Sequence, residues 1–158
     1  MIMEATINEL QQIVTDYSLK IKNLSEADLS YHSSPTKWSK KEILGHLIDS
    51  AQNNIRRFIC GQYEVIPPNI VYSQDFWVIA NGYDSMKSDD VILLWKLINE
   101  RVAEILSNMP PESYKNECNT GKHEPQLRTL EWLAIDYVKH MKHHLNQIIP
   151  NSFDIVYP

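Results

Sequence analysis

Trp38-Ser39-Lys40-Lys41-Glu42-Ile43-Leu44-Gly45-His46-Leu47-Ile48-Asp49 is the stretch on which the fold turns. Ser39 and Glu42 are spaced as a capping box, in which each side chain can satisfy the other residue's free backbone N–H. Trp38 and Ile43 flank the box as a hydrophobic staple, and Pro35 belongs to the turn before it. Apolar residues then recur at Leu44, Leu47, Ala51, Ile55 and Phe58. This spacing predicts a helix from Lys40 to about Cys60, ending before Gly61.

The same periodicity gives three more helices on either side. Ile7, Leu10, Val14, Tyr17, Ile21 and Leu24 mark the first. A third starts after Ser88, where Asp89 and Asp90 complement the positive end of its dipole, and it stops at Pro110-Pro111. The fourth runs from near Thr129 to about Ile148, with Pro150 beyond its end. Between the second and third lies an aromatic-rich connection from Gln62 to Lys87, with a short helix expected over Asp75–Ala80; Met109 to Arg128 forms another connection. Four helices joined this way predict an all-α four-helix bundle that need not run simply up-down-up-down. Long connections of this kind can line or close a site.

Composition narrows the choice further. A chain of 158 residues suits one domain spanning residues 1–158, and it can bury a core without disulfide or metal staples. Four glycines fall well below the usual share of about 7%. No glycine-rich phosphate cradle is present. A net charge of -5 gives no electrostatic footprint for nucleic acid. No apolar run is long enough for a membrane span. The N-terminus lacks the pattern of a signal peptide, so a cytoplasmic protein is expected, with Cys60 and Cys118 as free thiols.

Six histidines stand out. On a wheel of about 100° per residue with Tyr137 at zero, the apolar face of the fourth helix centres near +35°. His144 falls at about -20° and His140 at about -60°, on one border of that face. His143 lies at about -120°, with Trp132 and Asp136 on the outer side. His140 and His144 are one turn apart, so both imidazoles can reach one ion. His46 shares a polar row with Glu42, Ser50, Asn53 and Arg57. That row fits a solvent-facing surface or a polar cavity between helices, and periodicity does not separate the two. His32 and His123 sit in connections and read as surface residues; Arg57 reads as a surface charge or as a holder of an anionic ligand.

The segment Trp38–Asp49, taken with His140-Met141-Lys142-His143-His144-Leu145-Asn146-Gln147-Ile148, resembles the DinB-like superfamily, also called the YfiT-like family of metal-dependent hydrolases. The resemblance covers nearly the whole chain. It implies an up-down-down-up four-helix bundle, often a homodimer, with a divalent metal held by three side chains. Carried onto this sequence, the implied metal ligands are His46, His140 and His144. Imidazole donors suit Zn or Ni, with Fe or Mn as further candidates. Three neutral ligands leave a fourth position open at a tetrahedral ion, as in catalytic sites. The resemblance admits hydrolases and transferases dependent on a low-molecular-weight thiol, acting on a small-molecule substrate. A non-catalytic bundle that binds metal or dimerises is the alternative. Glu42, Asp49, Asn53, Arg57 and Gln147 are candidates to orient the ligands. Tyr72, Gln74, Asp75, Phe76 and Trp77 could cover the cavity or pack in the core. No residue stands out as a general base.

Overall fold

The computed structural model describes residues 1–158. It contains α1 (Ile2–Lys22), α2 (Glu26–Leu29), α3 (Lys40–Tyr63), α4 (Gln74–Asn81), α5 (Ser88–Asn108), β1 (Glu117–Asn119), β2 (Leu127–Thr129) and α6 (Leu130–Ile148). The capping box forms as expected: Glu42 N–H donates to Ser39 Oγ at 3.2 Å, and Ser39 N–H donates to Glu42 Oε2 at 2.8 Å. Thr129 caps α6 by accepting from Trp132 N–H at 3.2 Å. None of the helices is long and apolar enough to cross a membrane.

The four long helices form a ring in which α1 and α3 each pack against both α5 and α6. Chain direction follows from contacts at one end. Lys41, in the first turn of α3, reaches Glu26 just after α1 (3.1 Å) and the Met86 carbonyl just before α5 (2.9 Å). His46 of α3 meets His140 and His144 near the end of α6. The end of α1, the starts of α3 and α5 and the end of α6 therefore share one end of the bundle. That is up-down-down-up, with α3 parallel to α5 and α1 parallel to α6. A parallel neighbour requires the chain to travel the length of the bundle before re-entering it, which accounts for the long connection from Glu64 to Lys87.

One continuous core fills the ring, with Leu10, Ile21, Leu47, Ile48, Phe58, Trp95, Leu106, Met141 and Leu145 among its fully buried members. The amphipathic reading of α3 needs correction. Every residue from Leu44 to Ala51 is buried, because α4 and the turn after it cover the flank left free by α5 and α6. The polar row of α3 is interior, not solvent-facing. Gly61 does not end α3 either. It lies within the last turn, where an added Cβ would come within 2.7 Å of Leu130.

Three local elements fall outside the periodic pattern. α2 has a single turn, capped by Ser25. β1 and β2 form an antiparallel hairpin in which Cys118 opposes Arg128. The Pro68–Ile70 segment runs beside it, held by Asn119 N–H to the Pro68 carbonyl (3.0 Å) and Ile70 N–H to the Asn119 carbonyl (3.2 Å). After α6, Asn151 adopts a left-handed conformation (φ 61°), which Asn tolerates better than most residues, and the tail folds back along α6. Phe153 stacks on Tyr17 at 5.0 Å, and Tyr157 donates to Asp136 at 3.0 Å. Both cysteines are free thiols.

Gly45 has a steric reason for its place in α3. The Tyr83 ring lies flat against it, and an added Cβ would overlap that ring. Tyr83 is itself buried and donates to Asp49 Oδ1 at 2.6 Å, so it has little freedom to retreat. Gly45→Ala should therefore destabilise the chain by about 1–3 kcal/mol despite alanine's better helix propensity. The check is the urea midpoint at unchanged slope; a variant as stable as the parent would show that the Tyr83 contact is loose.

Candidate metal centre

Antiparallel packing of α3 on α6 sets His46 opposite one turn of α6. His140 and His144 are four residues apart and so project from that turn toward the same side. The three rings cluster with centroids 5.2 Å (His46–His140), 4.7 Å (His46–His144) and 4.5 Å (His140–His144) apart. One nitrogen from each lies within 4.8 Å of the other two. His46 Nε2 and His140 Nε2 approach to 3.2 Å.

Neighbours fix two of these rings. Trp38, the staple residue, stacks on His46 with centroids 5.0 Å apart. His144 Nδ1–H donates to Gln147 Oε1 at 2.8 Å, which leaves its Nε2 directed at the cluster. Such a bond sets the tautomer a metal ligand requires. His46 is 1% exposed, and its Nδ1 is buried with no hydrogen-bond partner.

Burial dominates the electrostatics. It lowers the His46 pKa to about 4, with help from the nearby His144 charge. His140 is held well below the ordinary imidazole range by burial and then by the charges of His144 and His46. His144 is lowered by burial, against the opposing bond to Gln147. All three are therefore neutral at pH 7 and keep a lone pair available for coordination.

The residues fit a divalent ion. Two nitrogens about 2.05 Å from one ion at the tetrahedral angle stand about 3.3 Å apart, close to the 3.2 Å between His46 and His140. All donors are imidazoles, which favours Zn, Ni, Fe or Cu over the oxygen-seeking Mg and Ca.

Other sequence candidates fall elsewhere. His143 meets His144 edge-to-face (4.9 Å) and packs at a tilt against Tyr157 (5.6 Å), and it stays outside the cluster. His123 lies in the exposed hairpin loop. His32 is exposed but bonded: its Nδ1 sits 2.9 Å from the Lys37 carbonyl and its Nε2 3.2 Å from Asp84, so its pKa is raised. Among the five residues expected to orient ligands, Gln147 alone bonds one. Glu42 bonds Ser39, Asp49 Oδ1 accepts from Tyr83 and Asn81 while its Oδ2 is buried without a partner, and Asn53 donates to the Asp49 carbonyl. Arg57 binds the Ile70 carbonyl. Of the aromatic connection, Tyr72 lines the cavity beside His140, whereas Phe76 is largely exposed.

That cavity, about 170 Å³, lies between α3 and α6 and has Ser50, Asn54, Arg57, Tyr72, Asp136 and His140 in its walls. Asp136 is thus a correction to the wheel, which placed it outside. The returning tail closes over that flank of α6 and makes it interior. No helical signal in the sequence announces the tail.

A bundle with this connectivity and three imidazoles converging at one end defines a class of helical proteins with an all-histidine, three-donor site. The chain belongs to the DinB superfamily, whose model matches residues 9–148. A Bacillus mycoides protein provisionally named a metal-dependent hydrolase is 24% identical over 149 residues, covering 93% of this chain and 83% of that protein. Among solved structures, Bacillus subtilis YfiT, described as a probable metal-dependent hydrolase with an unusual four-helix bundle topology, superposes with a TM-score of 0.82 at 19% identity, covering 92% of this chain and 83% of that one. A mycothiol-dependent maleylpyruvate isomerase superposes at 0.70 with 12% identity, covering 90% of this chain and 59% of that one. At these identities the superpositions establish the shared fold.

The depressed imidazole pKa values make a signed prediction for the metal-free protein. Unfolded histidines take up protons below about pH 6.5, whereas folded His46 resists until about pH 4. Over that window the unfolded state binds more protons, so stability should fall as pH falls. Asp49 and Asp136, raised by burial, and His32, raised by its bonds to Lys37 and Asp84, act in the opposite direction, so the His46 contribution is read as the difference between parent and variant. Replacing His46 with Gln should flatten the dependence by an amount on the order of 1–3 kcal/mol. Denaturation series at pH 7 and pH 5 would read this; parallel slopes for both proteins would contradict it.

Proposed function

We propose that this chain is a divalent-metal enzyme in which His46, His140 and His144 hold the ion and a small thiol is the nucleophile delivered to a small-molecule substrate. The observation that carries the reading is the convergence of three neutral imidazoles on one point, with the His144 tautomer fixed by Gln147. A divalent ion held there would act as a Lewis acid, lowering the pKa of a bound water toward about 7 or holding a thiol as its thiolate.

The chain's own residues favour the thiol over water. No carboxylate makes a hydrogen bond to any of the three imidazoles; Glu42, Asp49 and Asp136 bond instead to Ser39, to Tyr83 and Asn81, and to Tyr157, each through one oxygen. Amide or ester hydrolysis gains from a side chain that takes a proton from water and returns it to the leaving group. A thiol needs no such shuttle once ionised. The likeness to a mycothiol-dependent isomerase supports this choice, while the names of YfiT and of the Bacillus mycoides relative support the hydrolase alternative. Trp38 packs against His46, and Tyr72 lies in the cavity wall beside His140.

Two measurements test the reading. Equilibrium loading with Zn or Ni should saturate at one ion per chain. His46→Ala, His140→Ala and His144→Ala should each weaken binding by at least about 100-fold, Gln147→Ala by about 10–100-fold, and His143→Ala by little. The loaded protein should then conjugate a small thiol to an electrophilic substrate and lose that turnover on chelation. Turnover of esters or amides without thiol would favour the hydrolase, and loading with silence across both panels would leave a metal-binding bundle.

A further inference from the structure

The cavity beside His140 contains an arginine that makes no direct ion pair, although the Asp136 carboxyl in the facing wall attracts its charge at longer range. Arg57 is largely buried, which lowers its pKa, yet it forms none of the ion pairs in the structure. Its Nε and Nη2 donate to the Ile70 carbonyl at 3.1 and 2.7 Å, and Nη1 donates to Asn54 Oδ1 at 3.4 Å. A guanidinium has five N–H donors. One N–H on Nη1 and one on Nη2 therefore remain for an anionic ligand such as a carboxylate.

The guanidinium is also held in place. Ile70, which accepts from it, is buried and donates its own N–H to Asn119 at the end of β1. The hairpin thus braces the segment that orients Arg57. Ser50 and Tyr72 add hydroxyls to the same cavity, and His140 lines it as well, so Arg57 and one imidazole of the metal centre share a single chamber. A buried cation without a direct ion pair is one that a ligand anion can stabilise further.

The walls also restrict which anion fits. At about 170 Å³ the chamber is below the 300–1,000 Å³ of pockets for drug-sized ligands. Asp136, bonded to Tyr157, contributes a carboxyl to the α6 wall. It opposes a dianion such as phosphate and can accept from a donor on the ligand.

We infer that Arg57 is the carboxylate anchor of a substrate subsite, and that the substrate is a short carboxylic acid with a hydroxyl or amino group beside the carboxylate. The assignment of this acid as substrate rests on the metal-enzyme reading above; the binding site itself does not. In that arrangement the carboxylate lies against Arg57, the neighbouring donor faces Asp136, and the rest of the molecule points toward His140.

The test uses the full chain without metal and glycolate as the probe, with acetate, ethylene glycol and chloride as controls at matched ionic strength. Thermal stabilisation should saturate with glycolate, require higher concentrations of acetate, and be absent with ethylene glycol and chloride. Arg57→Gln should weaken glycolate at least tenfold, while His144→Ala should leave it unchanged. Because Arg57 also braces Ile70, a measurement on the unaltered chain accompanies the variant. Glycolate should slow phenylglyoxal modification of Arg57 severalfold, read by peptide mass spectrometry, with exposed Arg56 as the internal control. A chloride response equal to that of glycolate, full glycolate affinity in Arg57→Gln, or modification of Arg57 that glycolate does not slow would each overturn the inference. Glycolate binding without metal loading would overturn the metal reading and leave this one standing; metal loading without glycolate binding would do the reverse.

Discussion

His46 and His140 face each other across the contact of α3 and α6 with their Nε2 atoms 3.2 Å apart. Two imidazolium ions at that distance would repel strongly. The packing of α3 on α6 therefore excludes a doubly charged pair, and burial favours neutral rings, the state in which imidazole can coordinate. Burial, the same condition that stabilises the bundle, prepares the donors. Trp38 and Gln147 then fix the rings whose directions matter most.

The connectivity explains why a site exists at this end. Up-down-down-up order makes two neighbouring pairs parallel, so the chain must cross the bundle between α3 and α5. That crossing supplies α4, Tyr72 and the Ile70 carbonyl, and it buries the one face of α3 that the other long helices leave open. The returning tail does the same for α6 through Tyr157 and Asp136. Polar residues that would be solvated on a simple antiparallel bundle become cavity walls here.

Much of this was legible in the sequence. The Ser39–Glu42 box, the Thr129 cap and the apolar stripes located the long helices, because caps and periodicity are local. The wheel separated His140 and His144 from His143 for the same reason. The orientation of His46 was not legible: a polar row with helical period looks the same in water as in a cavity, and the resemblance to the DinB family, not the pattern, pointed inward. Asp136 and Arg57 depended on contacts with Tyr157 and Ile70, which lie in segments with no periodic signal. The hairpin was missed because its strands have three residues each. Gln147 was identified because it sits one turn beyond the histidines it serves.

The central claim is that His46, His140 and His144 act as one coordination unit. Anomalous diffraction at the zinc edge from crystals of the zinc-loaded chain tests it most directly. The account predicts one strong peak within about 2.0–2.1 Å of a nitrogen from each of the three histidines. A peak at His143 or at the exposed His32–Asp84 pair, with none among the three, would contradict it.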